Sequence, residues 1–395
     1  MSAVKTLQAC ALASLFLLPD LQAATLREAL DQAWSVQAPA QNAQNERYSA
    51  ELQASQAWTP EPPSIGLSHT TDQLNANAGR REWEVELSTP VWLYGQRERV
   101  TNVAQSEHAA FIGESTLAQL NLAGALREAW WDARFAELDF TQANRKLAAE
   151  QQLAADVSQR VKAGDLAPTD DSQSKIAVLL AKKEVSAAKL LFERNRQAYL
   201  LLSRGVALPD LAEVLQANPK PHPLLASLGL NAQSAQARLS QSAGDTRNAP
   251  EIGLTYTSEK DASDEAYRGR IKLGIKIPFG SESRNRPRIA TANAALIAAQ
   301  TALELEQARI ANAISSAQME LAQSREAQVL AVEQFKIASE RAEWIAKGFR
   351  LGQFDLMAQL RSLQEKFDAE SESARSRLAV DRAISRLNQA VGVLP

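Results

Sequence analysis

Between Pro90 and Pro168 the chain contains no proline, and between Pro287 and Pro395 it contains none again. An interior proline removes a backbone hydrogen bond and clashes with the preceding turn, so proline spacing limits helix length. Both stretches are dense in Ala, Gln, Leu, Glu and Arg, and aromatic residues make up only 6% of the chain. That is the composition of long helices or coiled coils, and it disfavours compact sandwich and doubly wound folds. The spacing predicts a helix from Gln96 to Ala163, about 100 Å long at 1.5 Å per residue. Leu126, Ala133, Phe140, Leu147, Ala154 and Val161 fall seven apart, as do Ile289, Leu296, Leu303 and Ile310. Such spacing marks a coiled-coil seam. The alanines at 290, 292, 294, 295, 298, 299 and 302 permit close helix approach.

Each long helix is predicted to end at a glycine and a short turn, Ala163-Gly-Asp-Leu-Ala-Pro168 and Phe349-Arg-Leu-Gly-Gln-Phe-Asp355. Return helices follow, from Asp170 to about Arg204 and from Asp355 to about Val391. The pattern occurs twice. Pro63-Ser-Ile-Gly-Leu-Ser-His-Thr70 is matched by Pro250-Glu-Ile-Gly-Leu-Thr-Tyr-Thr257, and each starts a strand-like run. A polar loop and a second alternating run follow, Glu82 to Trp92 and Arg270 to Phe279, then Gly95 or Gly280 and a basic cluster that open the long helix. Shorter helices, Leu26 to Trp58 and Leu224 to Ala243, precede the strand pairs. We therefore divide the chain into a first repeat at 25–204, a proline-rich linker at 205–223 and a second repeat at 224–395.

Alternation with period two puts one set of side chains on each face of a strand. Ile65, Leu67, Trp83, Val85 and Leu87 fall on one face of the first pair, with Glu82, Glu84 and Glu86 on the other. In the second, Ile252, Leu254, Tyr256, Ile271, Leu273, Ile275 and Ile277 oppose Arg270, Lys272 and Lys276. A soluble sheet packed on one side alternates in the same way. Three features favour a membrane. No neighbouring segment offers an apolar cover, strands of eight to eleven residues match a tilted bilayer crossing, and Trp92, Tyr94 and Phe279 sit where interfacial anchors belong. Four strands cannot close a barrel. Lipid cannot satisfy an open edge, so chains must pool their strands.

Residues 1–24 carry Lys5, an apolar run from Leu7 to Leu18 and small residues at Ala23 and Ala24. This reads as a cleaved secretory signal, because the run is too short to span a bilayer. Cys10, the only cysteine, falls inside it, so the mature chain is expected to hold no disulfide, thiolate metal ligand or cysteine nucleophile. With 43 basic and 46 acidic side chains, nothing draws the chain toward nucleic acid. His69, His108 and His222 are scattered without metal-ligand spacing, and Met1, Met319 and Met357 make no thioether cluster. No phosphate-cradling loop or nucleophile elbow supports an enzyme, so no metal site, cofactor or catalytic residue is assigned.

The arrangement resembles the TolC-like outer membrane factor family over essentially the whole mature chain. The motifs are Leu26-Arg-Glu-Ala-Leu30, the strand ends Leu87-Ser-Thr-Pro-Val-Trp-Leu-Tyr-Gly-Gln-Arg97 and Ile275-Lys-Ile-Pro-Phe-Gly280, and the tips Arg160-Val-Lys-Ala-Gly164 and Gly348-Phe-Arg-Leu-Gly352. The resemblance implies a mainly α chain with a small transmembrane β part. Three copies would form a twelve-stranded β-barrel in outer-membrane lipid and an α-barrel of long antiparallel coiled-coil helices across the periplasm. It also implies a passive exit duct, joined through a periplasmic adaptor to an inner-membrane pump of RND type. His222-Pro-Leu-Leu-Ala226, the short linker and the Pro-x-x-x-x-Gly-Gln-Arg pattern at 90–97 are similar to the heavy-metal cation efflux branch.

By the same resemblance, Ala163, Gly164, Asp165, Leu351, Gly352 and Gln353 are adaptor-docking tips. Several members narrow the entrance with acidic residues six and nine positions beyond the second tip glycine, where this chain has Ala358 and Arg361. The gate candidates are therefore Asp170, Asp171, Asp355 and Arg361, weighed against plain helix capping. Glu82, Glu84, Glu86, Arg270, Lys272 and Lys276 would line the barrel lumen. The competing reading is a soluble periplasmic coiled-coil scaffold. A periplasmic adaptor would need a region rich in short strands, which the sequence lacks.

Overall fold

The computed structural model describes residues 25–75, 79–216, 221–279 and 282–395. The proposed leader 1–24, with Cys10, and the helix-opening Gly280 lie outside the described residues. The elements run α1 (Leu26–Trp34), α2 (Ala38–Ser55), β1 (Ser64–Thr71), β2 (Arg81–Pro90), α3 (Gln96–Ala163), α4 (Pro168–Leu202), α5 (Pro223–Gly244), β3 (Glu251–Lys260), β4 (Arg268–Lys276), α6 (Glu282–Arg350) and α7 (Leu356–Ala390).

Helices α3 and α6, of 68 and 69 residues, each run for about 100 Å. They form the two continuous rails of a single helical layer. In the half next to the sheet, α5 fills the space between them and α2 flanks α3; in the other half, α7 fills the space and α4 flanks α3. The α7 C-terminus abuts the start of α5, so that a side chain at Gly392 would collide with Pro223 and His222. Alanine makes this close packing possible: Ala123, Ala133, Ala136, Ala317, Ala331, Ala369 and Ala383 are all buried. Every residue of the two seven-spaced series is buried or half-buried, as a seam requires.

One helix boundary differs from expectation. The helix expected from Leu26 to Trp58 is broken at residues 35–37 into α1 and α2, and Pro39 lies in the first turn of α2, where its missing N–H costs no bond. Helix α6 begins at Glu282, just past position 280 where it was expected to open, and carries Pro287 in its second turn. So close to a helix start, only one intrahelical bond is lost.

Where the helical inserts meet, a core forms around α1. Thr25 and Glu28 cap it reciprocally, Oγ1 accepting from the Glu28 N–H and Oε2 from the Thr25 N–H, both at 3.1 Å. Leu26, Ala29, Leu30 and Ala33 then pack against Leu126, Trp130 and Trp131 of α3 and Tyr199 of α4. Each large apolar side chain buried here contributes about 1.5–3 kcal/mol. The Trp130 indole donates to the Pro209 carbonyl at 2.9 Å, which pins the linker to the rail. Nearby, Arg127 forks onto Glu213 at 2.7 and 2.9 Å, with both side chains almost fully buried.

The four strands make one antiparallel sheet in the order β1-β2-β3-β4. Within the chain, β1 and β4 are its open edges.

Candidate functional site

Register fixes the two faces of the sheet. Ile65, Leu87, Leu254 and Leu273 form one apolar row, and Leu67, Val85, Tyr256 and Ile271 the next. On the opposite face, Gly66, Glu86, Thr255 and Lys272 stand in one row and Ser68, Glu84, Thr257 and Arg270 in another. The apolar rows are not buried. Ile65 is 76% exposed, Leu273 71% and Ile271 76%, whereas Thr255 on the polar face is 8% exposed. Among the described residues no helix packs along the sheet, so the apolar side has no cover and stands as bare as the polar side. Trp58, Tyr94 and Phe279 are exposed near the helical end of the sheet, and Trp83 and Tyr267 toward the loop end. Trp92, expected as a further anchor, is instead half-buried and donates to the Ala57 carbonyl at 3.0 Å.

The expected polar residues Glu82, Glu84, Glu86, Arg270, Lys272 and Lys276 share the polar face. Glu259 and Arg268 join them and were missed, although period-two counting from Thr257 and Arg270 reaches both. Lys276 pairs with Glu251 at 3.3 Å, Arg80 reaches Glu82 at 3.2 Å and Glu259 at 2.8 Å, and Arg270 also bonds Glu259.

The two helical tips are built alike. At the first, the Asp165 N–H bonds the Arg160 carbonyl at 2.9 Å and the Gly164 N–H that of Val161 at 3.1 Å; at the second, Gln353 bonds Gly348 at 2.8 Å and Gly352 bonds Phe349 at 3.1 Å. Gly164 and Gly352 sit at φ 87° and 74°, the left-handed conformation that such a helix end demands. Ala163, Gly164, Asp165, Leu351, Gly352 and Gln353 are all exposed. The tips also touch each other, which the sequence did not reveal. Val157, Phe349 and Leu356 form a small buried cluster flanked by Val161, Leu166 and Leu360.

The gate candidates are dispersed. Asp355 caps α7, accepting from the Ala358 N–H at 2.7 Å, and Asp170 accepts from the Ala167 N–H at 3.2 Å. Asp171 pairs with Lys175 at 2.6 Å, and that bond holds its carboxyl below the usual carboxylate range. These three acids have local structural partners. Arg361 has no bonding partner among the described residues and lines a cleft of about 250 Å³ between α3, α4 and α7. Glu150 lies in the same cleft, 5% exposed, with Oε2 unpartnered; burial pushes its carboxyl up. A glutamate surrounded by apolar seam positions was the only sequence signal for it.

Among the described residues, no group of three or more His, Cys, Asp or Glu is placed to hold a metal ion, and no helix is long and apolar enough to cross a membrane. No protein-family model matches the chain, and no curated protein matches it in sequence. Solved structures do match its fold. The outer membrane protein VceC of Vibrio cholerae superposes with a TM-score of 0.74 at 12% identity, over 93% of this chain and 96% of that one. The MtrE outer membrane channel of Neisseria gonorrhoeae gives 0.74 at 15%, over 93% and 89%. The CmeC outer membrane channel of Campylobacter jejuni gives 0.72 at 13%, over 93% and 85%. Over nine-tenths of its length, therefore, this mainly helical chain with four antiparallel strands has the TolC-like outer-membrane-channel fold.

Proposed function

We propose that three copies of this chain form the outer-membrane duct of a tripartite efflux system. The observation that carries the reading is the bare apolar face of the sheet, backed by a face of charged and small polar side chains. In water that surface is an aggregation hazard, whereas in lipid it is the required outer wall. The open edges support head-to-tail closure. β1 and α4 lie at one lateral edge of the chain and β4 and α6 at the other. Leu179, Leu180 and Leu190 are exposed on α4, and Ile297, Val329, Leu330 and Ile337 on α6. A heterologous contact of this kind makes rings, and three copies supply twelve strands, an allowed barrel size.

In this reading the repeats 25–204 and 224–395 are the two halves of one wall segment, and the helical layer extends from the outer membrane into the periplasm. Ala163, Gly164, Asp165, Leu351, Gly352 and Gln353 dock a periplasmic adaptor, which links the duct to an inner-membrane pump of RND type. Arg361, with its free guanidinium, is the preferred entrance residue; Asp170, Asp171 and Asp355 serve mainly as local helix partners. The polar sheet residues line the lumen. The duct is passive and non-enzymatic. Heavy-metal cations are the proposed cargo, on the strength of the short linker, His222–Ala226 and the Pro90–Arg97 pattern alone, and sensitivity of a deletion strain to metal salts tests that point.

The test of the duct is membrane fractionation, detergent extraction and native mass measurement. A detergent-dependent outer-membrane species of three chain masses is expected. A soluble periplasmic species would replace the duct with a coiled-coil scaffold.

A further inference from the structure

On the polar face of the sheet, long charged side chains occupy alternate strands. β2 presents Glu82, Glu84 and Glu86, and β4 presents Arg268, Arg270, Lys272 and Lys276. The strands beside them present small side chains in the same rows: Ser64, Gly66, Ser68 and Thr70 on β1, and Gly253, Thr255 and Thr257 on β3, with Glu251 and Glu259 only at the β3 ends. A Cβ at Gly253 would stand 3.5 Å from Glu86 Oε1, so that carboxylate extends over the space the small residues leave.

Two strand spacings, about 10 Å, separate the acidic column from the basic one. Across that gap the middle rows make no direct pair between the two columns. At the sheet ends the charges find partners, through Glu251, Glu259 and Arg80, and Glu259 also takes Arg270 of the middle rows. In the middle, Glu84, Glu86 and Lys272 have none among the described residues.

The next step rests on the duct reading. If copies close head to tail, β4 meets β1 of the next copy, whose small residues again intervene before the next acidic column. The same two-strand gap therefore recurs all the way round. Three acidic and three basic columns alternate evenly about the lumen, and the middle rows carry Glu84 and Glu86 against Arg270 and Lys272, with no net charge.

We propose that these four residues form a charge-alternating filter that sets the ion preference of the β-duct. A ring of one sign selects ions by sign. Alternating columns offer every permeating ion an attractive and a repulsive wall at the same depth, so small cations and anions pass alike. Neither column alone is neutral; the balance exists only between them.

The experiment is planar-bilayer recording of the purified full chain under a KCl gradient, after each variant has been shown to form the wild-type oligomer. Wild type is expected to reverse near zero potential. The double variant E84Q/E86Q should become anion-selective and R270Q/K272Q cation-selective, each shifting the permeability ratio by at least about twofold. The quadruple variant should return to the wild-type value, and E84D/E86D should keep it. Channels whose reversal potential ignores both double variants would overturn the filter and leave the duct standing. A chain that forms no channel would overturn both.

Discussion

Arg160 of the first tip lies over the ring of Phe349 of the second, 4.7 Å from its centroid, and its Nη1 donates to the Phe349 carbonyl at 3.3 Å. Two turns distant in sequence are thereby held as one surface. Arg160→Ala is expected to lower stability by about 1 kcal/mol and to make residues 163–167 and 350–355 more susceptible to proteolysis. Arg160→Lys should retain part of the effect. Unchanged cleavage rates in Arg160→Ala would show that the tips are held independently.

The tip glycines differ in what they tolerate. A side chain at Gly164 or Gly352 meets open space, so the cost of alanine there is the left-handed backbone alone, about 1–2 kcal/mol. At Gly348 a Cβ would stand 2.4 Å from the Phe354 ring. Gly348→Ala should therefore displace Phe354 and, if the tips dock an adaptor as proposed, disturb that binding more than Gly352→Asn does. Binding of a candidate periplasmic adaptor to each variant, measured by surface plasmon resonance, decides between them.

The Arg127–Glu213 pair ties the linker to α3 and, through Gln389, Ser385 and the Val393 carbonyl, to the C-terminal region. Removing one partner leaves a buried charge uncompensated. Glu213→Ala should cost about 3–5 kcal/mol, whereas the double change Arg127→Met with Glu213→Leu should cost much less. Thermal unfolding in detergent measures both.

Glu150 gives the helical part a pH dependence. Its folded carboxyl is raised chiefly by burial; Lys146 pulls it down and Glu184 pushes it up, and these two pair with each other at 2.7 Å. The unfolded chain ionises this group first as pH rises, so the contribution to stability is greatest below the ordinary carboxylate value and falls between that value and the raised one. Glu150→Gln should raise the neutral-pH melting temperature and flatten its slope across that window. A variant that melts like wild type at every pH would show that Glu150 is solvated.

Leu273 stands mid-strand on the bare face, next to an edge on which no neighbour within the chain can shield it. Leu273→Arg should cost about 2–4 kcal/mol per chain at mid-bilayer and reduce the membrane-inserted oligomer. Wild-type oligomer yield would mean that this face does not meet lipid.

The legible parts of the fold are those marked by local chemistry. Gly95 and Gly164 bracket α3, and both take the left-handed conformation, so its ends were set by residues that the eye can find. Pro39 carried an equally plain signal for the α1–α2 break, which reading 26–58 as one helix passed over. Strand alternation gave the faces correctly. It could not show that β2 pairs with β3, because neighbour order depends on how α3, α4 and α5 return the chain. The Arg160–Phe349 contact and the burial of Glu150 were hidden for the same reason: each depends on where helices distant in sequence come to lie. The acids at 170 and 355 were legible as helix starts, and they serve there as local partners of the backbone.

Arg80 bonds Glu259 across the β2–β3 join although 179 residues separate them. The outer pairs, β1 with β2 and β3 with β4, need only short loops to close. The central join must wait for the intervening helices to bring its strands together. Until then the apolar surface exists as two separate two-stranded ribbons, each too small to persist in water. In the duct reading this order of assembly protects the chain in transit: its stickiest continuous surface is completed only when the helical frame can hand it to the lipid.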